Sequence, residues 1–215
     1  MECDLKDITV HYEAFGEGRP LVVLHGWGMD HRYMVSDVEP LFGQRDGWRR
    51  IYRDLPGHGL TPGPDWIANR DQELDIVLDL IDALVPGERF ALAGSSAGAY
   101  LAPREVVEYL RATVPSAETG DEAYQERIQG GPGTHGFSFD VDALPQPCPV
   151  PTLIVTGRQD SVIGYRDAWG ILENYPRGTF AVLDRCGHFM GIEQADLFHA
   201  LAGEWLDRVE EYVGA

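Results

Sequence analysis

The sequence predicts an α/β chain: a mostly parallel sheet covered by helices on both faces. Three observations predict it. Apolar runs at residues 20–24, 90–93 and 151–156 read as strands, the first of them with the composition of a strand buried on both faces. Stretches with helical periodicity separate them, as crossover connections between parallel strands require. Conspicuous polar residues follow the apolar runs directly, and in such sheets sites form at the carboxyl ends of the strands.

Residues 7–15 alternate in part and lead into Gly16-Glu17-Gly18, so an initial strand, one arm of a hairpin, ends there in a turn. The run 20–24 is a buried strand that opens into the glycine-rich loop His25-Gly26-Trp27-Gly28-Met29-Asp30. A helix is expected over 31–42 and a strand over 48–52. The loop Asp54-Leu55-Pro56-Gly57-His58-Gly59 follows, dense in turn residues. Residues 66–84 place Ile67, Leu74, Val77, Leu78, Ile81 and Leu84 on one helical face, and Pro86-Gly87 ends it. Strand 90–93 then runs into Gly94-Ser95-Ser96-Ala97-Gly98. Helical patterns at 104–114 and 121–128 are followed by the breaker Gly130-Gly131-Pro132-Gly133 and a proline-rich stretch at 140–150. A buried strand at 151–157 ends in Arg158-Gln159-Asp160, a helix spans 165–175, and a last strand at 179–183 ends in Asp184-Arg185-Cys186-Gly187-His188. The closing helix places Leu197, Leu201, Trp205 and Val209 on one face.

The 215 residues fit one domain with a sizeable core, and 44% apolar with 24% charged residues is an ordinary globular balance. With 35 acidic against 17 basic residues the net charge is −18, which excludes nucleic acid and anionic membrane surfaces as expected partners. The start, Met1-Glu2-Cys3-Asp4, lacks the basic and apolar regions of a signal peptide, and no apolar run approaches a membrane span. Cys3, Cys148 and Cys186 are widely spaced and odd in number, so free thiols in a reducing cytoplasm are expected and a metal site is not. Nothing in the sequence reports the oligomeric state.

The chemistry centres on Ser96. Gly94 and Gly98 flank it at two residues either side, as a sharp strand-to-helix turn needs, and such a turn exposes the serine hydroxyl at a helix N-terminus. A serine is a poor nucleophile without a general base, and the base needs an orienting carboxylate. His188, after the last strand, supplies the base, and Asp160, after the preceding strand, orients it. Asp184 is the rival acid and Ser95 the rival nucleophile, though the glycine spacing selects Ser96. Cys186 competes only if its thiol pKa is lowered. The tetrahedral intermediate needs oxyanion donors. These are the backbone N–H of Ala97 and, from the 25–28 loop, that of Trp27. Trp27 and Met29 either line a substrate pocket or simply pack, while His25 and His58 brace loops.

Together, His25-Gly26-Trp27-Gly28, Asp54-Leu55-Pro56-Gly57-His58-Gly59, Gly94-Ser95-Ser96-Ala97-Gly98, Gly157-Arg158-Gln159-Asp160 and Gly187-His188 resemble the α/β-hydrolase family, in its serine esterase, haloperoxidase and C–C hydrolase branch. Five motifs in the right order cover most of the chain. The resemblance implies a cofactor-free acyl-enzyme mechanism with Ser96 as nucleophile, His188 as base and Asp160 as its partner, and a helical cap that sets substrate choice. A dehalogenase of this fold would carry aspartate where Ser96 stands. The expected organisation is a hydrolase core at 1–102 and 151–215 with a cap-like helical insertion at 103–150.

One departure stands out. The family has a further strand after the nucleophile helix, yet here Ala102 runs into Pro103, which a helix interior tolerates poorly, and no strand-like run follows before residue 151. Either the hydrolase is shortened, or residues are omitted near 102/103, with a lesser break near Gly130-Gly131. Omission is the expectation, because unpaired core backbone costs roughly 1–3 kcal/mol per group. The function expected is a serine hydrolase acting on a small ester or related carbonyl substrate. C–C bond hydrolysis or perhydrolysis on the same three residues is the alternative. A binding protein on a hydrolase scaffold is the alternative of another class.

Overall fold

In a computed structural model the described residues are 1–95, 120–130, 136–140, 143–161 and 164–214. They form two compact units, residues 1–36 with 44–139 and residues 37–43 with 140–215.

The first unit is built on a five-stranded mixed sheet. Its strands are β1 (Glu2–Asp4), β2 (Thr9–Phe15), β3 (Arg19–Leu24), β4 (Trp48–Arg53) and β5 (Ala91–Gly94). Their spatial order is β1-β2-β4-β3-β5. The hairpin partner of β2 is the short β1 that precedes it; β2 also pairs antiparallel with β4, while β3 runs parallel to both β4 and β5. Leu21, Val22 and Val23 are therefore buried on both faces, as their unbroken apolar run predicts. Because β3 lies between β4 and β5, the chain crosses over it on the way from β4 to β5. That makes the carboxyl end of β3 a topological switch point, where α/β sheets open a crevice.

The long helix α2 (Arg70–Leu84) starts four residues later than its apolar pattern suggests; α1 (His31–Val38) is the shorter helix that follows β3. The Asn69 side chain caps α2, accepting from Gln72 N at 3.0 Å, so the start is set by a polar cap that the hydrophobic pattern ignores. The buried face also differs. Ile76, Val77, Leu80 and Ile81 pack inward with Glu73, while Leu78 is half exposed. They meet Tyr12, Val22, Ile51 and Leu55 in one core cluster and Ile8, Val10, Trp27 and Ile67 in another. Helix α3 (Glu122–Gly130) adds Tyr124 and Ile128 to the second cluster. The expected helix over 31–42 is α1 followed by a 3-10 turn at Glu39–Phe42, the tighter geometry starting where Pro40 removes a backbone donor.

The second unit carries β6 (Thr152–Gly157) and β7 (Gly178–Leu183), parallel and paired along their whole lengths. The expected helix between them is a single turn, α4 (Arg166–Gly170), continued by a 3-10 turn at Leu172–Asn174. A short α5 (Met190–Glu193) leads into the closing α6 (Ala195–Gly214). The α6 face is rotated from the expected one. Ala202, Leu206 and Val209 are buried, Leu197 is exposed, and Trp205 lies at the border with its Nε1–H donated to Pro151 O at 3.0 Å. No strand lies between β5 and β6 among the described residues. The expected helix at 104–114 and the Ala102-Pro103 junction lie outside them. No described helix is long and apolar enough to cross a membrane.

Candidate active site

The carboxyl ends of β3, β4 and β5 bring three of the predicted loops together in the first unit. Ser95 N donates to Leu24 O at 3.0 Å, extending the β3–β5 ladder one step past Gly94. The chain thus arrives at the serine turn alongside the start of the 25–28 loop. Ser96 and Ala97 themselves lie outside the described residues.

That loop is held by two buried histidines. His25 donates Nδ1–H to Gly26 O at 2.7 Å and accepts from Leu55 N at Nε2 at 2.8 Å, so it ties the loop after β3 to the loop after β4 as a neutral ring. His58 donates Nδ1–H to Pro56 O at 2.8 Å, and its buried Nε2 has no partner among the described residues. Burial pushes His25 down to about 4 and His58 down to about 3, the latter helped by the neighbouring His25. Both brace loops, as expected.

Trp27 and Met29 are core side chains in this unit, 2% and 3% exposed. The Trp27 indole meets the His58 ring edge-on at 4.6 Å, and the Arg70 guanidinium lies 4.0 Å over its centroid. Arg70 pairs with the buried Glu73 at 2.6 Å, and Glu73 also accepts the Tyr124 hydroxyl at 2.7 Å. A Cβ on Gly57 or Gly63 would run into the Tyr124 ring, so both loop glycines leave room for α3. This chain of contacts fixes the 25–28 loop from below. Its members are scattered over a hundred residues, so no local pattern announces it.

The second unit holds the predicted base and acid. His188 Nδ1 lies 2.8 Å from Asp160 Oδ2, and both side chains are buried. The carboxylate therefore accepts the Nδ1–H hydrogen bond and leaves Nε2 as the basic atom. Strand register explains the meeting. β6 and β7 are parallel and in step to Gly157↔Leu183, so the loops leaving them run side by side. Arg158 N donates to Leu183 O at 2.8 Å and Gln159 N to Cys186 O at 2.9 Å. A Cβ on Gly157 would collide with the carbonyl oxygens of Gly187 and Cys186, so glycine is required for this approach. Asp184, the rival acid, is exposed, and its backbone oxygen accepts Gln159 Nε2 at 3.1 Å.

Two further residues complete the picture. Glu193 accepts Gly187 N at 2.8 Å and Phe189 N at 3.0 Å, gripping the loop on either side of His188. The sequence reading missed it; the only signal was a carboxylate five residues past the histidine. Cys186 is buried, and desolvation together with the Glu193 and Asp160 carboxylates pushes its thiol up to about 11. It is held as a thiol, not an activated thiolate.

Residues 21–119 match the alpha/beta hydrolase family. The chain is 24% identical over 250 aligned positions to the pimeloyl-[acyl-carrier protein] methyl ester esterase of Legionella pneumophila (strain Corby), covering 93% of this chain and 100% of that protein. It is 21% identical over 259 positions to the 2-hydroxy-6-oxo-6-(2'-aminophenyl)hexa-2,4-dienoic acid hydrolase of Metapseudomonas resinovorans, covering 94% of this chain and 88% of that one. Both alignments are longer than the 215 residues of this chain, so each relative holds positions with no counterpart here. Among solved structures, an alpha/beta superfamily hydrolase from Oenococcus oeni PSU-1 superposes with a TM-score of 0.82 at 21% identity, over 98% of this chain and 99% of that one. With its strand order, its glycine-flanked serine and its histidine–aspartate pair, the chain has the α/β-hydrolase fold.

Proposed function

We propose that the protein is a serine hydrolase that cleaves a small ester or related carbonyl substrate through an acyl-enzyme on Ser96. The buried His188–Asp160 hydrogen bond carries this reading, because it leaves His188 Nε2 as a base with its proton-accepting lone pair free of Asp160. In the first step Ser96 Oγ attacks the substrate carbonyl carbon while His188 Nε2 takes the hydroxyl proton. The resulting oxyanion is bound by the Trp27 and Ala97 backbone N–H groups. Collapse of the tetrahedral intermediate expels the alcohol, which leaves with the proton from His188. Water then attacks the acyl-enzyme with His188 again as base, releasing the carboxylic acid and restoring Ser96. Asp160 holds the ring in the required tautomer and stabilises the imidazolium formed in each half.

The mechanism uses no cofactor. The three free cysteines support a reducing, cytoplasmic setting. C–C bond hydrolysis is the second reading, favoured by the relative from Metapseudomonas resinovorans. The same three residues serve both reactions, so the pocket decides. The test is labelling with a fluorophosphonate, followed by intact-mass measurement and peptide mapping, on the native chain and Ser96→Ala. A single adduct on Ser96, with ester turnover abolished in the variant, is expected. An adduct on Ser95 would move the nucleophile. Saturable ligand binding without turnover, unchanged in Ser96→Ala, would replace the enzyme by a binding protein.

A further inference from the structure

A second cluster of chemically active side chains lies in the first unit. On β2, His11 and Glu13 stand two residues apart and so share one face, opposite Val10 and Tyr12, which are buried in the core. His31, the first residue of α1, meets them there. Its ring centroid lies 5.1 Å from that of His11, and its Nε2 lies 3.6 Å from Glu13 Oε1. One ligand atom from each of the three residues lies within 4.8 Å of the other two.

The other side of the His31 ring is already committed. Its Nδ1 is 2.7 Å from Asp54 Oδ1, and Asp54 also accepts His31 N at 2.8 Å and Leu60 N at 2.9 Å. Asp54 is fully buried and accepts the His31 Nδ1–H, which leaves Nε2 as the ring atom free to act as a ligand. Nε2 of the neutral ring then presents a lone pair to a carboxylate oxygen at a separation too long for a hydrogen bond. Two electron-rich atoms facing each other call for positive charge between them. That charge is either a second proton on His31 or a metal ion.

We propose that His11, Glu13 and His31 form a site for a divalent cation of the zinc class, with Asp54 orienting His31 from behind. Two ligand atoms about 2.0–2.1 Å from a tetrahedral zinc ion are roughly 3.3–3.4 Å apart, so the 3.6 Å between His31 and Glu13 needs only a small inward shift. Two imidazoles and one carboxylate suit zinc, cobalt or nickel and not the hard cations. A carboxylate on the far nitrogen of a ligating histidine is the common support of such sites. The Glu13 side chain is 44% exposed, which leaves the fourth position open to water. The site would tie the second strand to the start of α1, beside the loop that Asp54 and His31 already organise.

The test is titration of the untagged, chelator-treated chain with Zn²⁺ by calorimetry and with Co²⁺ by absorption. One equivalent should bind, cobalt should give a tetrahedral spectrum, and excess Mg²⁺ should not compete. His11→Asn and Glu13→Gln, both at partly open positions, should each weaken Zn²⁺ binding by about 10-fold or more and abolish its stabilisation against heat. Binding that survives both substitutions, or no binding at all, would overturn the site. His31 Nε2 would then carry a proton and pair with Glu13 as an imidazolium, which the ¹⁵N shifts of its ring would report.

Discussion

Acid should loosen the loop that carries Trp27 before it affects the sheet, and His58 provides the measurement. His58 is fully buried, its Nδ1–H is spent on Pro56 O, and its Nε2 has no partner among the described residues. Protonating Nε2 in the folded state would bury a positive charge beside His25 and Arg70, which is why its pKa is pushed down to about 3. In the unfolded chain the same ring titrates near 6.5. The folded pKa lies below the unfolded one, so between those values the unfolded state binds the extra proton. Stability is therefore full at neutral pH and falls as pH drops through the unfolded pKa. Down to pH 5 the folded ring stays neutral, so the loss between pH 7 and pH 5 is about 2 kcal/mol whatever the folded value below 4. His25, pushed down to about 4, adds a similar loss. His31 works the other way. Burial lowers its pKa, but the Asp54 hydrogen bond and the Asp54, Asp30 and Glu13 carboxylates together raise it, so its contribution grows as pH falls. The clean assay is thus a difference. Urea unfolding of the native chain and of His58→Asn, followed by tryptophan fluorescence, is compared at pH 7, 6 and 5. An asparagine amide can still donate to Pro56 O but does not titrate. The native chain should lose about 2 kcal/mol more than the variant across that interval. Equal slopes would refute a histidine buried neutral at this position, and with it the account of how the loop is held.

Asp160→Asn should reduce ester turnover strongly, by up to about 10⁴-fold, while Asp184→Asn should leave it nearly unchanged. The reverse ranking in steady-state kinetics would transfer the role to Asp184. Glu193→Gln should lower kcat several-fold with little change in KM, because an amide oxygen can accept only one of the two loop N–H groups well. A KM effect alone would assign Glu193 to substrate contact instead.

The strands were legible because their signals are local. The unbroken apolar run 20–24 has no polar face to present to water, and β3 is buried on both sides, whereas Leu92 in the shorter run of β5 is half exposed. Likewise, the register of β6 and β7 follows from two runs of equal length in one parallel ladder, and it carries Asp160 and His188 to adjacent strand ends. Helix faces were less legible. Leu78 and Leu197 fit the apolar periodicity yet point outward, because the neighbours decide which part of a wide stripe is covered. The start of α2 was misplaced because Asn69 caps it through a hydrogen bond that hydrophobicity does not register.

Residue type, order and strand ends carry the chemistry proposed for the chain: a serine between glycines, a histidine after the last strand, a carboxylate after the one before. Tertiary structure alone chose between Asp160 and Asp184, since two carboxylates at strand ends look alike until one is seen at 2.8 Å from the imidazole. It also joined Arg70, Glu73 and Tyr124 beneath Trp27, and His11 and Glu13 to His31. The physical reason is the sheet order. β4 lies between β2 and β3 although it comes well after both in the chain, and long-range neighbours of that kind leave no periodic trace in a sequence.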